Sequence, residues 1–468
     1  MVRSATNPVV LKNFQIFIWG LILNHPYSHP FNTGLLLHPL IRKKSNWLHG
    51  MMLLFILSCE NRRNTEGQNS SFQEKNLSSK EAQTAGFKKV NLTIIIHDSK
   101  SMNGFRFLGS QLGDEILTFF TDLSDPQNQL VSGISSFTLS TSNAIDIKPL
   151  GRGINALADY IENTRSVDGV TGPVLHGVNK DYSKMLDKII ERSFETPNSV
   201  SAFLSDLVHY PGKAEGKDLN EYLKSQSQRM RASIQTALAK NPDLCMVLLK
   251  GVSKYKWDNR ITPNRPYYLI LLGKKSNLQP IMGFAQESWK GNYFWFEFLK
   301  NTVSPKLVVA RGHPWAKGTY ETNHRDENYI IKPNLRPGHS EFSFVSEVDL
   351  TSFKGLEYLL TNCGKYKGGD WVVSKIGIAP KYKTNIKGSF QYEIKTKNNP
   401  NPGEFEIRLP FYKPNWIGQS SHSKPEGSIL EPEFKGKTFG FEPLMNGVME
   451  AFHIGEKDLI HLKFKIEK

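Results

Sequence analysis

Residues Val90 to Gly104, V-N-L-T-I-I-I-H-D-S-K-S-M-N-G, constrain this chain more than any other stretch. An apolar run, Leu92 to Ile96, ends abruptly in a loop with an imidazole, a carboxylate, two hydroxyls and a glycine. Such a run bounded by turn residues reads as a strand buried on both faces. In open α/β sheets, ligands bind where such strands end. The loop His97–Gly104 is therefore the first candidate site.

The pattern downstream supports a sheet flanked by helices. L-G-D-E-I-L-T-F-F-T-D-L, G-I-N-A-L-A-D-Y-I-E-N and Y-S-K-M-L-D-K-I-I-E-R carry apolar residues at helical spacing. The long segment from Leu219 to Asn241 does so too and stops at Asn241-Pro242. Between these helices lie strands: L-V-S-G-I-S-S-F-T-L, N-A-I-D-I-K, S-V-S-A-F-L-S-D, L-C-M-V-L-L-K and P-Y-Y-L-I-L-L-G. Alternation of this kind predicts a doubly wound, mostly parallel α/β sheet that closes near Gly273. Beyond that point the period changes to two. N-Y-F-W-F-E-F-L, S-E-F-S-F-V-S-E-V-D-L, S-F-Q-Y-E-I-K, E-F-E-I-R-L-P-F-Y and L-I-H-L-K-F-K-I alternate apolar with polar residues between Pro, Gly and Asn clusters. They predict an antiparallel β-sandwich interrupted by two helices, L-T-S-F-K-G-L-E-Y-L-L and P-L-M-N-G-V-M-E-A-F. Pro410 and Pro414 mark P-F-Y-K-P-N-W-I-G as an edge or a loop.

The amino-terminal region has a different character. Residues 40–59 read L-I-R-K-K-S-N-W-L-H-G-M-M-L-L-F-I-L-S-C. A basic cluster, a short apolar segment and a small residue are the parts of a secretory signal. Met51–Leu57 is too short to span a bilayer, which takes ~20 residues as a helix. The ending I-L-S-C resembles the bacterial lipobox, which implies that Cys59 is lipidated and begins the mature chain. Residues 1–39 fit no part of a signal, which suggests a start near Leu40 or Met51. Residues 60–87, rich in Ser, Asn, Gln, Glu and Lys, bury too little to offset chain entropy and read as a tether. The expected organisation is a targeting region over 1–58, a tether over 59–87, an α/β domain over 88–274 and a β-sandwich domain over 275–468.

Charge and cysteine usage limit the function classes. The formal net charge is +15. Five basic residues and no acid precede Cys59, so a chain beginning there carries 54 bases, 44 acids and +10. Like charges do not form long blocks, and no nucleic-acid motif is present, so nucleic acid is not an expected partner. Cys59, Cys245 and Cys363 are too few and too scattered for a disulfide framework or a zinc site. Nucleophile elbows, phosphate-cradling glycine loops and H-E-x-x-H are missing, which places an enzyme behind a binding protein. The polar segment with His313, His324, Asp326 and Glu327 matches no common metal spacing and reads as a solvated loop.

H-D-S-K-S-M-N-G-F resembles the first motif of von Willebrand factor A-type domains, Asp-x-Ser-x-Ser, which forms part of a metal-ion-dependent adhesion site. Alignment on Ser99, Ser101 and Met102 puts His97 at the position of the family's aspartate and Asp98 at the variable one. The family's threonine corresponds to Ser183, and its later aspartate to Asp206 at the end of V-S-A-F-L-S-D. The resemblance covers Lys88 to Gly273. It implies a divalent cation, Mg²⁺, held by oxygens and completed by a partner's carboxylate. Mg²⁺ wants six oxygens in an octahedron. Neutral imidazole brings no charge and suits softer metals. Three outcomes follow: a divalent site using Asp98 or Asp206, a degenerate site without metal, or a site turned toward a softer metal by His97. The same residues also have purely structural uses. Ser99, Ser101 and Ser183 can satisfy helix-start amides, and Asp206 can form an Asx-turn.

The resemblances together imply a lipid-anchored protein of the bacterial cell envelope, periplasmic or surface-facing, that contacts a partner protein through the A-like domain. One alternative is an assembly lipoprotein whose sandwich is the working surface and whose A-like domain is scaffold. An envelope hydrolase is the weakest reading.

Overall fold

The computed structural model describes residues 88–140, 145–165, 181–208, 218–257, 260–299, 302–322, 328–335, 338–350, 353, 357–378, 389–424 and 435–468. All belong to one compact unit, Thr84–Lys468. The targeting region, Cys59 and the tether lie outside the described residues, as do His324, Asp326 and Glu327.

The first half contains β1 (Val90–Asp98), α1 (Leu112–Ser124), β2 (Val131–Ser140), β3 (Asp146–Arg152), α2 (Gly153–Thr164), α3 (Tyr182–Ser193), β4 (Ser199–Ser205) and α4 (Leu219–Lys240). The long strands β5 (Leu244–Trp257) and β6 (Arg260–Lys274), helix α5 (Lys275–Ser288) and β7 (Asn292–Glu297) follow. Seven strands form one sheet in the order β3-β2-β1-β4-β6-β5-β7. Helices α1, α2 and α5 lie against one another or the strands they cover, and α3 packs on β1, β4, β6 and α4. The protein is thus α/β, as the alternation of elements predicts.

The sheet is mixed, which corrects the expectation of a mostly parallel one. Only β1 pairs in parallel, with β2 and with β4. The pairs β2–β3, β4–β6, β5–β6 and β5–β7 are antiparallel. The physical reason lies between Lys250 and Pro266. Read as a connection, those residues leave room for a crossover. In the structure they continue β5 and begin β6, so only Asp258 and Asn259 separate the two strands. A connection that short can join strands only antiparallel. The sheet also runs past Gly273, since β7 forms its edge.

The remaining chain contains β8 (Leu307–Ala310), β9 (Thr319–Thr322), β10 (Tyr329–Asn334), β11 (Phe342–Asp349), the short helix α6 (Glu357–Leu360), β12 (Val372–Ile378), β13 (Ser389–Thr396) and β14 (Gly403–Pro410). It closes with α7 (Asn415–Gln419), β15 (Ser421–His422), β16 (Thr438–Phe439), α8 (Phe441–Ala451) and β17 (Asp458–Glu467). Two four-stranded sheets have the orders β14-β17-β10-β9 and β12-β13-β11-β8. The second is antiparallel throughout, but β10 runs parallel to β17 in the first, against the antiparallel expectation. Period-two alternation fixes which face is buried and leaves strand direction open. Aromatic rings of the two sheets meet: Phe344 lies 5.2 Å from Phe464, and Trp371 stacks on Phe405 at 4.3 Å. Pro410 sits at the end of an edge strand, where its missing N–H costs no ladder bond. One hydrophobic cluster includes both Ile94 and Phe464, and α8 packs on α4.

Candidate functional site

Strand β1 is central, and its last residues decide what stands at the top of the sheet. Ile96 pairs with Leu204, so the carboxyl ends of β1 and β4 lie side by side. The chain leaves β1 toward β2 on one side and leaves β4 toward β5 and β6 on the other. A crevice between strands whose connections diverge is where open α/β sheets bind ligands.

His97 is fully buried, with Nδ1 2.9 Å from the Ser205 hydroxyl. Its ring meets Tyr182 edge-on at 5.6 Å and Phe203 at 5.8 Å. Ser205 also accepts the Leu207 amide at 3.0 Å, and the Tyr182 hydroxyl lies 3.4 Å away. The imidazole therefore straps β1 to β4.

Asp98 points the other way, as successive strand residues must. Its Oδ1 accepts Arg106 Nη2 at 2.9 Å and the Tyr160 hydroxyl at 3.4 Å. Burial raises the Asp98 carboxyl above its ordinary range, and Arg106 opposes that rise without cancelling it. Burial likewise pushes the Tyr160 phenol up to about 12. Asp98 is thus engaged on the α2 side of the sheet, away from Ser205.

Ser99 and Ser101 are both buried and bond to each other, Oγ to Oγ, at 3.1 Å. Ser99 precedes a 3₁₀ turn, Lys100–Phe105, and its side chain does not cap that turn. Gly104 is required here because a Cβ would overlap the ring of Tyr255.

Asp206 follows β4 and is completely buried. Its Oδ1 accepts the Val208 amide at 3.3 Å, an Asx-turn, and the turn carries Leu207 at φ +50°. Its Oδ2 has no hydrogen-bond partner. Ser183 is occupied elsewhere, donating to Asp181 Oδ1 at 2.5 Å. Asp181, not Ser183, caps α3 by accepting the Lys184 amide.

The structure thus joins His97 to Ser205, Ser99 to Ser101, and places Asp206 at the neighbouring strand end. It sends Asp98 to Arg106 and Ser183 to Asp181. Among the described residues no group of three His, Cys, Asp or Glu converges as a metal-ligand set. Sequence reading passed over Ser205, Tyr182 and Asp181. Asp181 had a signal, an acid directly before an amphipathic helix. Ser205 had none, since its partner is 108 residues away. Comparison with family models, with curated proteins and with solved structures finds no match to this chain.

Proposed function

We propose that the chain is a lipid-anchored cell-envelope binding protein that contacts a partner protein at the joined ends of β1 and β4, on a von Willebrand A-like fold with a degenerate metal site. The observation that carries this reading is the Ser99–Ser101 hydroxyl pair beside a strand end whose buried carboxylate, Asp206, leaves Oδ2 without a partner. The envelope address rests on the sequence ending at Cys59.

The donors left at this site suit a hard cation: two serine hydroxyls and one carboxylate, all oxygen. The set lacks the family's leading carboxylate, so on the degenerate reading Mg²⁺ is held weakly or not at all. When bound, the cation would supply positive charge toward a partner's carboxylate. His97 supports the degenerate reading. It stands where the family has its aspartate, and its Nδ1 is engaged with Ser205. Capture from envelope extracts with the full chain, compared with Ser99→Ala/Ser101→Ala and with chelator added, tests the site. An unchanged set of partners removes the loop from the binding role.

A second reading makes the carboxyl-terminal sheets the working surface. It is favoured by the shared core, in which Phe441 stacks on Tyr268 at 4.3 Å. Val372 on β12 is an exposed apolar residue of that region. Loss of capture in Val372→Asp, with Ser99→Ala/Ser101→Ala unaffected, would support this second reading.

A further inference from the structure

A second polar cluster lies where β6 passes the end of β4. Ser205 pairs with Tyr268, the last pair of the β4–β6 ladder, which puts Asp206–Val208 toward the earlier part of β6, where Arg265 lies. Arg265 is 2% exposed. Its Nη1 donates to the Lys437 carbonyl at 3.2 Å, and its Cζ lies 5.3 Å from the centre of the Tyr255 ring. Its Nε and Nη2 have no hydrogen-bond partner. Among the described residues no ion pair reaches Arg265; the buried carboxylate of Asp206 lies beyond ion-pair distance.

Those two nitrogens are not an arbitrary remainder. They form the side-on edge of the planar guanidinium, where two N–H bonds run parallel. That edge matches two oxygens of one carboxylate or phosphate group. A lysine in such a place can shed its proton, and Lys250 nearby, which donates to Ser420 at 2.7 Å, is shifted down by burial. Arginine cannot do so. A buried guanidinium stays charged, so it needs an anion. The neighbourhood adds further positive charge. Both Arg265 and Lys437 help burial to hold the His422 imidazole down at about 4.

We infer that the Nε–Nη2 edge of Arg265 binds a compact oxyanion, a carboxylate or phosphate group, enclosed between the end of β4 and the β15–β16 segment. Tyr268, whose hydroxyl donates to Thr438 Oγ1 at 3.2 Å, lines the same cluster. The site is separate from the Ser99–Ser101 pair, so the two stand or fall independently.

The test is thermal unfolding of the full chain in inorganic phosphate, in acetate, and in chloride of matched ionic strength. A ligand bound only by the folded state raises the melting temperature as its concentration rises. The expected result is a rise of a few degrees in phosphate or acetate over chloride, kept in Ser99→Ala/Ser101→Ala and lost in Arg265→Met. Arg265→Lys keeps the charge without the fork, and is expected to weaken binding at least about tenfold. A response to acetate with none to phosphate assigns the site to carboxylates, and the converse assigns it to phosphate. Equal melting in all three salts, or an unchanged response in Arg265→Met, overturns the inference. Should Arg265→Met fail to fold, calorimetric titration of the wild type and Arg265→Lys with the same anions decides it. No heat above the chloride blank overturns it.

Discussion

The Nδ1 atom of His97 lies 2.9 Å from the hydroxyl of Ser205, and this bond ties together the ends of two parallel strands. A carboxylate at position 97 would bring charge to this place; an imidazole brings a hydrogen bond and two aromatic contacts. The strand ends are thus held together from within.

His97→Asp follows directly. An acid at a fully buried position without a counter-ion is expected to cost roughly 3 kcal/mol or more. Millimolar Mg²⁺ should restore part of that loss, because a cation bound only by the folded state stabilises it by mass action. Urea unfolding with and without Mg²⁺ measures both effects. A variant equally unstable in both conditions would show that the serines and Asp206 do not gather around a cation.

The serine pair should behave non-additively. Ser99→Ala alone leaves the Ser101 hydroxyl buried without its partner, at a cost of about 1–3 kcal/mol. Removing both hydroxyls should cost less than the sum of the single changes. A double-mutant cycle by equilibrium unfolding reads the coupling. Strict additivity would mean that each hydroxyl is satisfied by something other than its neighbour.

His422 gives a pH signature. Burial, with help from Arg265, lowers the imidazole from 6.5 to about 4 in the folded chain. The unfolded chain therefore takes up a proton first as pH falls. The stability contributed by neutral His422 is complete above pH 6.5 and is lost as pH drops toward about 4. The loss over that window is roughly 2–3 kcal/mol. Histidine resonances followed by NMR should show His422 titrating near the bottom of that range, and His422→Gln should flatten the stability curve. Titration near 6.5 would contradict the buried placement.

Gly104 tests the packing that aims the loop. Ala at this position drives a methyl group into the Tyr255 ring and should cost about 1–3 kcal/mol. The same change in a Tyr255→Leu background should cost less, because the obstructing ring is gone. Thermal melts of the four proteins suffice. An equal penalty in both backgrounds would assign the strain to the 3₁₀ turn itself.

Much of the scaffold was legible along the chain because burial leaves periodic marks. The apolar run before His97 and the one before Asp206 became β1 and β4, the two strands whose ends form the crevice. Leu112, Ile116, Phe119, Phe120 and Leu123 fall on one helical face, and all are buried. Yet the amides that begin α1 are satisfied from afar. Ser253 on β5 accepts the Gln111 and Leu112 amides, each at 3.0 Å. Ser110 offers the Leu112 amide a longer local bond at 3.3 Å, but nothing along the chain marks Ser253.

The sequence by itself determined most of the strands and helices, and which loop follows the central strand, since period and apolar content are local properties. It did not mark helix α5, and only Glu357–Leu360 of the helix expected at L-T-S-F-K-G-L-E-Y-L-L is helical among the described residues. Only the tertiary structure decided what those segments do to one another. A strand buried on both faces has the same composition whether its neighbour runs parallel or antiparallel, so the β5–β6 hairpin turned an expected parallel sheet into a mixed one. Side-chain partners were decided in the same way. His97 went to Ser205, 108 residues away, because a hydrogen bond depends on distance in space and not on spacing along the chain, whereas Asp98 and Ser183 found their partners nearby, in Arg106 and Asp181.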